Sequence, residues 1–259
     1  MLRIRLWLPT AALALLAATS FARAGIPVNY GTAELGQVKT ACFTVCFGGM
    51  DCTGSGIISS LLVDPPFFVR GVRVGAASSN NLCDNTSGVT TPANLPFALG
   101  AGQKLVWDVD LVPTELGNFD SFLRINQSPE FDLDAFVVPV TSCTPSTAAT
   151  CLSDDRFKVR VNWRTQLGTR GPALVVPFGS NDSGLFFFFR EDNWEMLVKV
   201  LNACVPPFDR FWVFSAATTN VEFTLTVTDT QSQRVKTYFN PLGNPAAPIQ
   251  DTSAFATCP

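Results

Sequence analysis

The sequence predicts an all-β protein of two antiparallel β-sandwich domains, stapled by disulfides. Three observations carry that expectation. Residues 221–239 alternate with period two: Val221, Phe223, Leu225 and Val227 against Glu222, Thr224, Thr226 and Thr228, then Val235, Thr237 and Phe239 against Arg234, Lys236 and Tyr238. Such alternation puts one set of side chains in a core and the other in water, as in a long antiparallel hairpin closed by Asn240-Pro241. The remainder repeats short apolar runs punctuated by Gly, Pro and Asn, with almost no helical period. Finally, the chain holds eight cysteines, an even number.

Residues 1–24 are expected to be a signal peptide. Arg3 and Arg5 form a basic start, Leu6 to Ser20 a short apolar run, and Ala22-Arg23-Ala24 an A-x-A site, with cleavage near Ala24. The run is too short for a membrane span. The expected product is secreted, or periplasmic or on the cell surface, an oxidising setting in which the cysteines form disulfides. Without those residues the chain carries 15 Lys and Arg against 21 Asp and Glu, which argues against nucleic acid as a partner. The imbalance is local: residues 25–142 hold 11 acids and 5 bases, and residues 143–259 hold 10 of each.

The first domain is expected over 25–142. Strands are predicted at 26–30, 38–47, 57–63, 67–74, 104–112, 119–125 and 131–140. Gly31, Gly36, Gly48-Gly49, Pro65-Pro66 and Pro113 to Gly117 separate them. Residues 78–96 read as a polar loop pinned by Cys83. In 104–112, Leu105, Trp107, Val109 and Leu111 point inward, Asp108 and Asp110 outward.

Tyr30-Gly31 with Gly36, then Leu99, Gly100-Ala101-Gly102, Val109, Pro113, Gly117, Phe119, Leu123 and Ile125, carry a resemblance. This half resembles the immunoglobulin-like modules of the ASPM–SPD-2–Hydin type, akin to the major-sperm-protein fold, found in bacterial exported proteins. The resemblance implies a binding or spacer domain.

The second domain is expected over 143–259, after a Ser/Thr/Pro-rich linker at 141–150. Phe157, Val159, Val161 and Trp163 alternate with Lys158, Arg160, Asn162 and Arg164. Strands follow at 174–178, 185–189, 194–201 and 211–216, then the 221–239 hairpin and an extended tail from Pro245 to Cys258. Arg156-Phe157-Lys158-Val159, Asp182-Ser183-Gly184, Phe211-Trp212-Val213-Phe214, Thr226-Val227-Thr228-Asp229-Thr230 and Pro248-Ile249-Gln250-Asp251-Thr252 stand out in this half. On those residues it resembles an uncharacterised all-β module at the C-terminus of bacterial exported proteins. That likeness implies fold and export, with no known activity.

Cys42 and Cys46 are four residues apart on one strand, about 13 Å, too far to bond each other. Cys46 can reach Cys52 across the Gly48-Gly49 turn, leaving Cys42 for Cys83. Cys143 and Cys151 flank a short linker, and Cys204 with Cys258 would fasten the tail.

No catalytic constellation emerges. The absence of His removes Ser-His-Asp and Cys-His systems and His-ligated metals, and no CxxC pair suggests zinc. Neither a cofactor nor a metal is expected. Calcium at Glu130, Asp132 and Asp134 is the one cation reading, against solvated edge charges. Asp154-Asp155 and Glu191-Asp192 are the candidate carboxylate pairs, both beside turns. Trp194, Trp212 and Tyr238 are the candidate ligand-contacting aromatics. Phe186 to Phe189, apolar on both faces, lies either between layers or against a partner. Asn85, Asn126 and Asn181 stand in N-x-S/T sequons. The expected function is a non-catalytic binding or scaffold protein with a protein or cell-surface partner. A polysaccharide-binding protein is the alternative, and a carboxylate-based hydrolase the third reading.

Overall fold

A computed structural model describes residues 26–79, 82–83 and 90–259. The signal-peptide reading of 1–24 and the Asn85 sequon lie outside the described residues. The rest is all-β, with a single-turn helix at Gly49–Asp51.

Among the described residues, ten strands precede residue 139: β1 (Ile26–Glu34), β2 (Lys39–Val45), β3 (Gly56–Ile58), β4 (Leu61–Leu62), β5 (Phe67–Ala76), β6 (Thr90–Pro92), β7 (Phe97–Leu99), β8 (Gln103–Leu111), β9 (Gly117–Ile125) and β10 (Ser128–Val138). They form a sheet in the order β1-β10-β9-β4, a facing sheet in the order β2-β8-β5-β6, and the small pair β3-β7. All pairings here are antiparallel except the first strand, β1, which runs parallel to the last, β10. Between the two sheets lie Phe43, Phe67, Leu105, Trp107, Val109, Leu123 and Leu133. Alternation put these residues on one face, and burying that face is what holds the sheets together.

Ten more strands follow: β11 (Thr150–Leu152), β12 (Phe157–Arg164), β13 (Arg170–Pro172), β14 (Leu174–Ser180), β15 (Ser183–Phe187), β16 (Met196–Ala203), β17 (Arg210–Ala217), β18 (Glu222–Asp229), β19 (Arg234–Asn240) and β20 (Ile249–Phe255). One sheet runs β11-β12-β18-β19 with β13 beside β12, and the other runs β14-β15-β16-β17-β20. Phe157, Val159, Val161, Phe186, Val198, Val213, Leu225, Val227 and Phe255 fill the space between them. The segment read as an extended tail is a strand: β20 pairs with β17, where Ile249 and Phe255 reach the core.

Cys42 bonds Cys83, Cys46 bonds Cys52, Cys143 bonds Cys151 and Cys204 bonds Cys258. They are the same four pairs that spacing suggests, and among the described residues no cysteine is free.

The polar faces read as solvent-facing are not in water. Asp108 and Asp110 are buried, as are Glu222, Thr224, Thr226 and Thr228. The reason is a second layer of packing. The polar face of the β2-β8-β5-β6 sheet is covered by the polar face of the β11-β12-β18-β19 sheet, and charged side chains meet across the junction. The stack therefore has apolar, ionic and apolar interiors in sequence.

Candidate functional site

Two places in the fold bring chemistry together. One is the ionic junction, and the other is the outer face of the β14-β15-β16-β17-β20 sheet.

At the junction, Arg164 ends β12 with its guanidinium directed at the other half. Its Nε donates to Asp108 Oδ2 at 2.9 Å, Nη2 to Asp110 Oδ1 at 2.7 Å, and Nη1 to Glu222 Oε1. Arg73 and Arg170 reach Asp108 from either side, at 3.4 and 3.3 Å. The same two arginines donate to main-chain oxygens of Leu82 and Cys83, beside the Cys42–Cys83 bond. Burial works against the Arg164 charge. Asp110, Glu222 and Asp108 outweigh it and hold the proton more firmly than on a free guanidinium. Carboxylates this dense resemble an acid/base site on paper. Here each is bound by arginine, so the cluster acts as a clamp. Two glycines admit it. Gly71, at φ +52°, leaves room for Arg164, whose Cδ would lie 2.8 Å from a Cβ there; Gly168, at φ +84°, does the same for Arg73 from the opposite half.

The outer sheet face is apolar. Cross-strand partners put Leu174 beside Phe187, Leu185 beside Leu197 and Ala216, and Leu201 beside Trp212. One row is mixed, with Ser183, Lys199, Phe214 and Gln250 in line. On this face Leu197 and Leu174 are 37% and 36% exposed, and Leu185, Phe187, Leu201, Trp212 and Phe214 are half-buried. An antiparallel sheet with one face in the core normally turns polar residues outward. The inner sheet of this same half obeys that rule with Lys158, Arg160, Asn162 and Arg164, whereas the outer sheet presents Leu, Phe and Trp. The Phe186–Phe189 segment divides accordingly. Phe186 and Phe188 are buried in the core, Phe187 joins the outer face, and Phe189 is exposed.

The three candidate aromatics are not brought together. Trp194 lies 49% exposed in the loop before β16, its Nε1 donating to the Glu191 carbonyl at 3.0 Å. Trp212 sits on the outer face between Phe208 and Phe214, with ring centroids at 5.0 and 6.2 Å. Seven residues of chain separate Trp194 from Leu201, the partner of Trp212, about 23 Å at extended rise. Tyr238 must be withdrawn from the surface set. Its ring packs against the core and its hydroxyl donates to Asp251 Oδ2 at 2.9 Å. Burial and that carboxylate both raise its pKa.

Asp154 and Asp155 are exposed at a left-handed turn, and Asp192 is paired with Arg190 in solvent. On β10, Asp134 stands directly opposite Asp120 and Asn29, in a concavity of about 520 Å³. No group of three His, Cys, Asp or Glu that could hold a metal occurs among the described residues. The carboxamides of Asn126 and Asn181 are engaged with the backbone of Ser59 and Asp154. Among the described residues no helix is long and apolar enough to cross a membrane.

No family model matches the chain, and no curated protein matches it.

Proposed function

We propose that this is a secreted, non-catalytic binding or scaffold protein of the cell envelope or extracellular space, which docks a partner through the outer face of the β14-β15-β16-β17-β20 sheet. The observation that carries the reading is that face: adjoining rows of Leu, Phe and Trp on an antiparallel sheet whose other side already has a core. Contiguous apolar surface of this kind marks interaction sites. Four disulfides suit an oxidising compartment. The N-terminal unit, about 25–142, is read as an immunoglobulin-like spacer and the C-terminal unit, about 143–259, as the docking module. The partner is a protein or cell-surface component.

The test is a pull-down of the oxidised protein against isolated cell envelopes, alongside a Leu197→Glu variant. The reading expects saturable binding that Leu197→Glu abolishes without lowering the melting temperature. Turnover of a glycan, ester or peptide substrate, or binding indifferent to Leu197→Glu, would sink it.

A further inference from the structure

The two halves do not meet flush. Beside the Arg164 clamp the junction opens into two adjoining cavities of about 640 and 290 Å³, which share Val38, Asn162 and Pro172. Both volumes lie near the ~300–1,000 Å³ typical of small-ligand sites. The floor is the outward face of β12, where Lys158, Arg160 and Asn162 recur at alternate positions. One wall comes from the β1–β2 turn of the N-terminal half, the other from the turn at 144–149.

Charge along this floor is uneven. Arg164 is fully engaged by its three carboxylates. Further along, Lys158 Nζ and Arg160 Nη2 both converge on one oxygen, Oε2 of Glu34, the lysine at 3.0 Å. Burial works to raise the Glu34 pKa, but Arg160 and Lys158 outweigh it and hold the carboxyl below its ordinary value. Two cations thus face one carboxylate. Arg160 Nη1 is enclosed with no hydrogen-bond partner. The cations are largely shielded, with side chains 10% and 16% exposed, whereas Glu34 is 43% exposed and can yield to a competing anion. Gln37 uses its Oε1 on the Glu34 amide and Ser146 its Oγ on the Ala148 amide, so the Gln37 NH2 and Ser146 hydroxyl can still donate. The cavity therefore asks for a carboxylate and, within the same ligand, for hydroxyls.

We propose that this crevice binds a uronate-bearing oligosaccharide, whose carboxylate takes the place of Glu34 at Arg160 and whose ring hydroxyls meet Gln37, Ser146 and Asn162. An acidic peptide could also answer the cations, which makes it the competing ligand that the test must separate from a uronate. A neutral glycan would leave the excess cation unmet. The proposal rests on the crevice and is independent of the apolar outer face.

The experiment is calorimetric titration of the disulfide-bonded protein with tetragalacturonate, cellotetraose and tetra-aspartate. Tetragalacturonate should bind, more weakly as salt rises, and the other two should not. Arg160→Gln should weaken it about tenfold, the scale of one charge-assisted hydrogen bond. Glu34→Gln should tighten it by a similar factor, because it removes the competing carboxylate. That predicted gain cannot come from a damaged fold, so it holds the test open if Arg160→Gln misfolds. The proposal fails if tetragalacturonate does not bind, if Glu34→Gln weakens its binding, or if cellotetraose or tetra-aspartate binds equally.

Discussion

Arg164 and Asp108 come from different halves of the chain and share a hydrogen bond of 2.9 Å with both side chains almost sealed from water. Four further charged groups gather around that pair. Asp110 and Glu222 take the remaining guanidinium nitrogens, and Arg73 and Arg170 complete the shell of Asp108.

Replacing Arg164 with Met should therefore be severe. It would take the arginine from Asp110 and Glu222 and leave Asp108 to Arg73 and Arg170, and breaking a buried ion pair on one side costs about 3–5 kcal/mol. Arg164→Lys should recover little, since one ammonium cannot present three nitrogens in a fixed plane. Urea denaturation followed by tryptophan fluorescence reads both variants. A loss under about 1 kcal/mol, the scale of an exposed pair, would show that the junction is solvated.

Gly168→Ala should loosen the halves without touching either core. The added Cβ would lie 2.4 Å from Cζ of Arg73, and residue 168 has φ +84°, which favours glycine. Gly102→Ala is the control, because φ there is +76° but nothing lies within 4 Å. Faster amide exchange on β8 and β12 in Gly168→Ala alone would separate clash from backbone strain.

Acid should act through Asp229. Burial pushes its pKa up, but Arg156, Thr257 and Ser232 outweigh that and leave it below the ordinary value. A lowered folded pKa means the stabilisation is present above the unfolded value, about 3.9, and is lost as pH falls through the folded one. Asp229→Asn should melt lower at neutral pH and show a flatter decline below about pH 4. Parallel acid limbs for the two proteins would exclude this carboxylate as the cause.

The disulfides should not contribute equally. Cys204–Cys258 spans 54 residues and Cys46–Cys52 only 6. Loop-closure entropy assigns them about 4 and about 2 kcal/mol. Paired Cys→Ala variants, compared by denaturant midpoint, should rank in that order.

Much of the fold is legible in the sequence because period two is a local signal. Leu105, Trp107 and Val109, or Phe223, Leu225 and Val227, declare an inward face without reference to anything distant. The opposite faces cannot be read in that way. Asp108 and Arg164 look like ordinary surface charge on isolated strands, and only the stacking of two sheets makes them interior. A trace of it existed: an acid-rich first half beside a second half whose β12 carries Lys158, Arg160 and Arg164. The apolar outer face was half visible. Phe186–Phe189 announced a strand greasy on both sides, but Leu197, Leu201, Trp212 and Phe214 join Phe187 only through cross-strand register. Tyr238 misled because the register of β19 reverses the faces its pattern suggests: Tyr238 and Lys236 pair with Leu225 and Val227 on the core side, and Val235, Thr237 and Phe239 pair with Thr228, Thr226 and Thr224.

The position of β20 sets a timetable for synthesis. The first half has its closing strand, β10, once residue 138 is made, whereas the second cannot close until β20 arrives beside β17. Roughly 120 residues lie between those moments, about 6–24 s at ordinary translation rates. During that interval the finished half waits with its partner surface bare. Because that surface carries Arg70, Arg73, Asp108 and Asp110 in place of an apolar patch, it stays hydrated while it waits, and its carboxylates later lock it to Arg164.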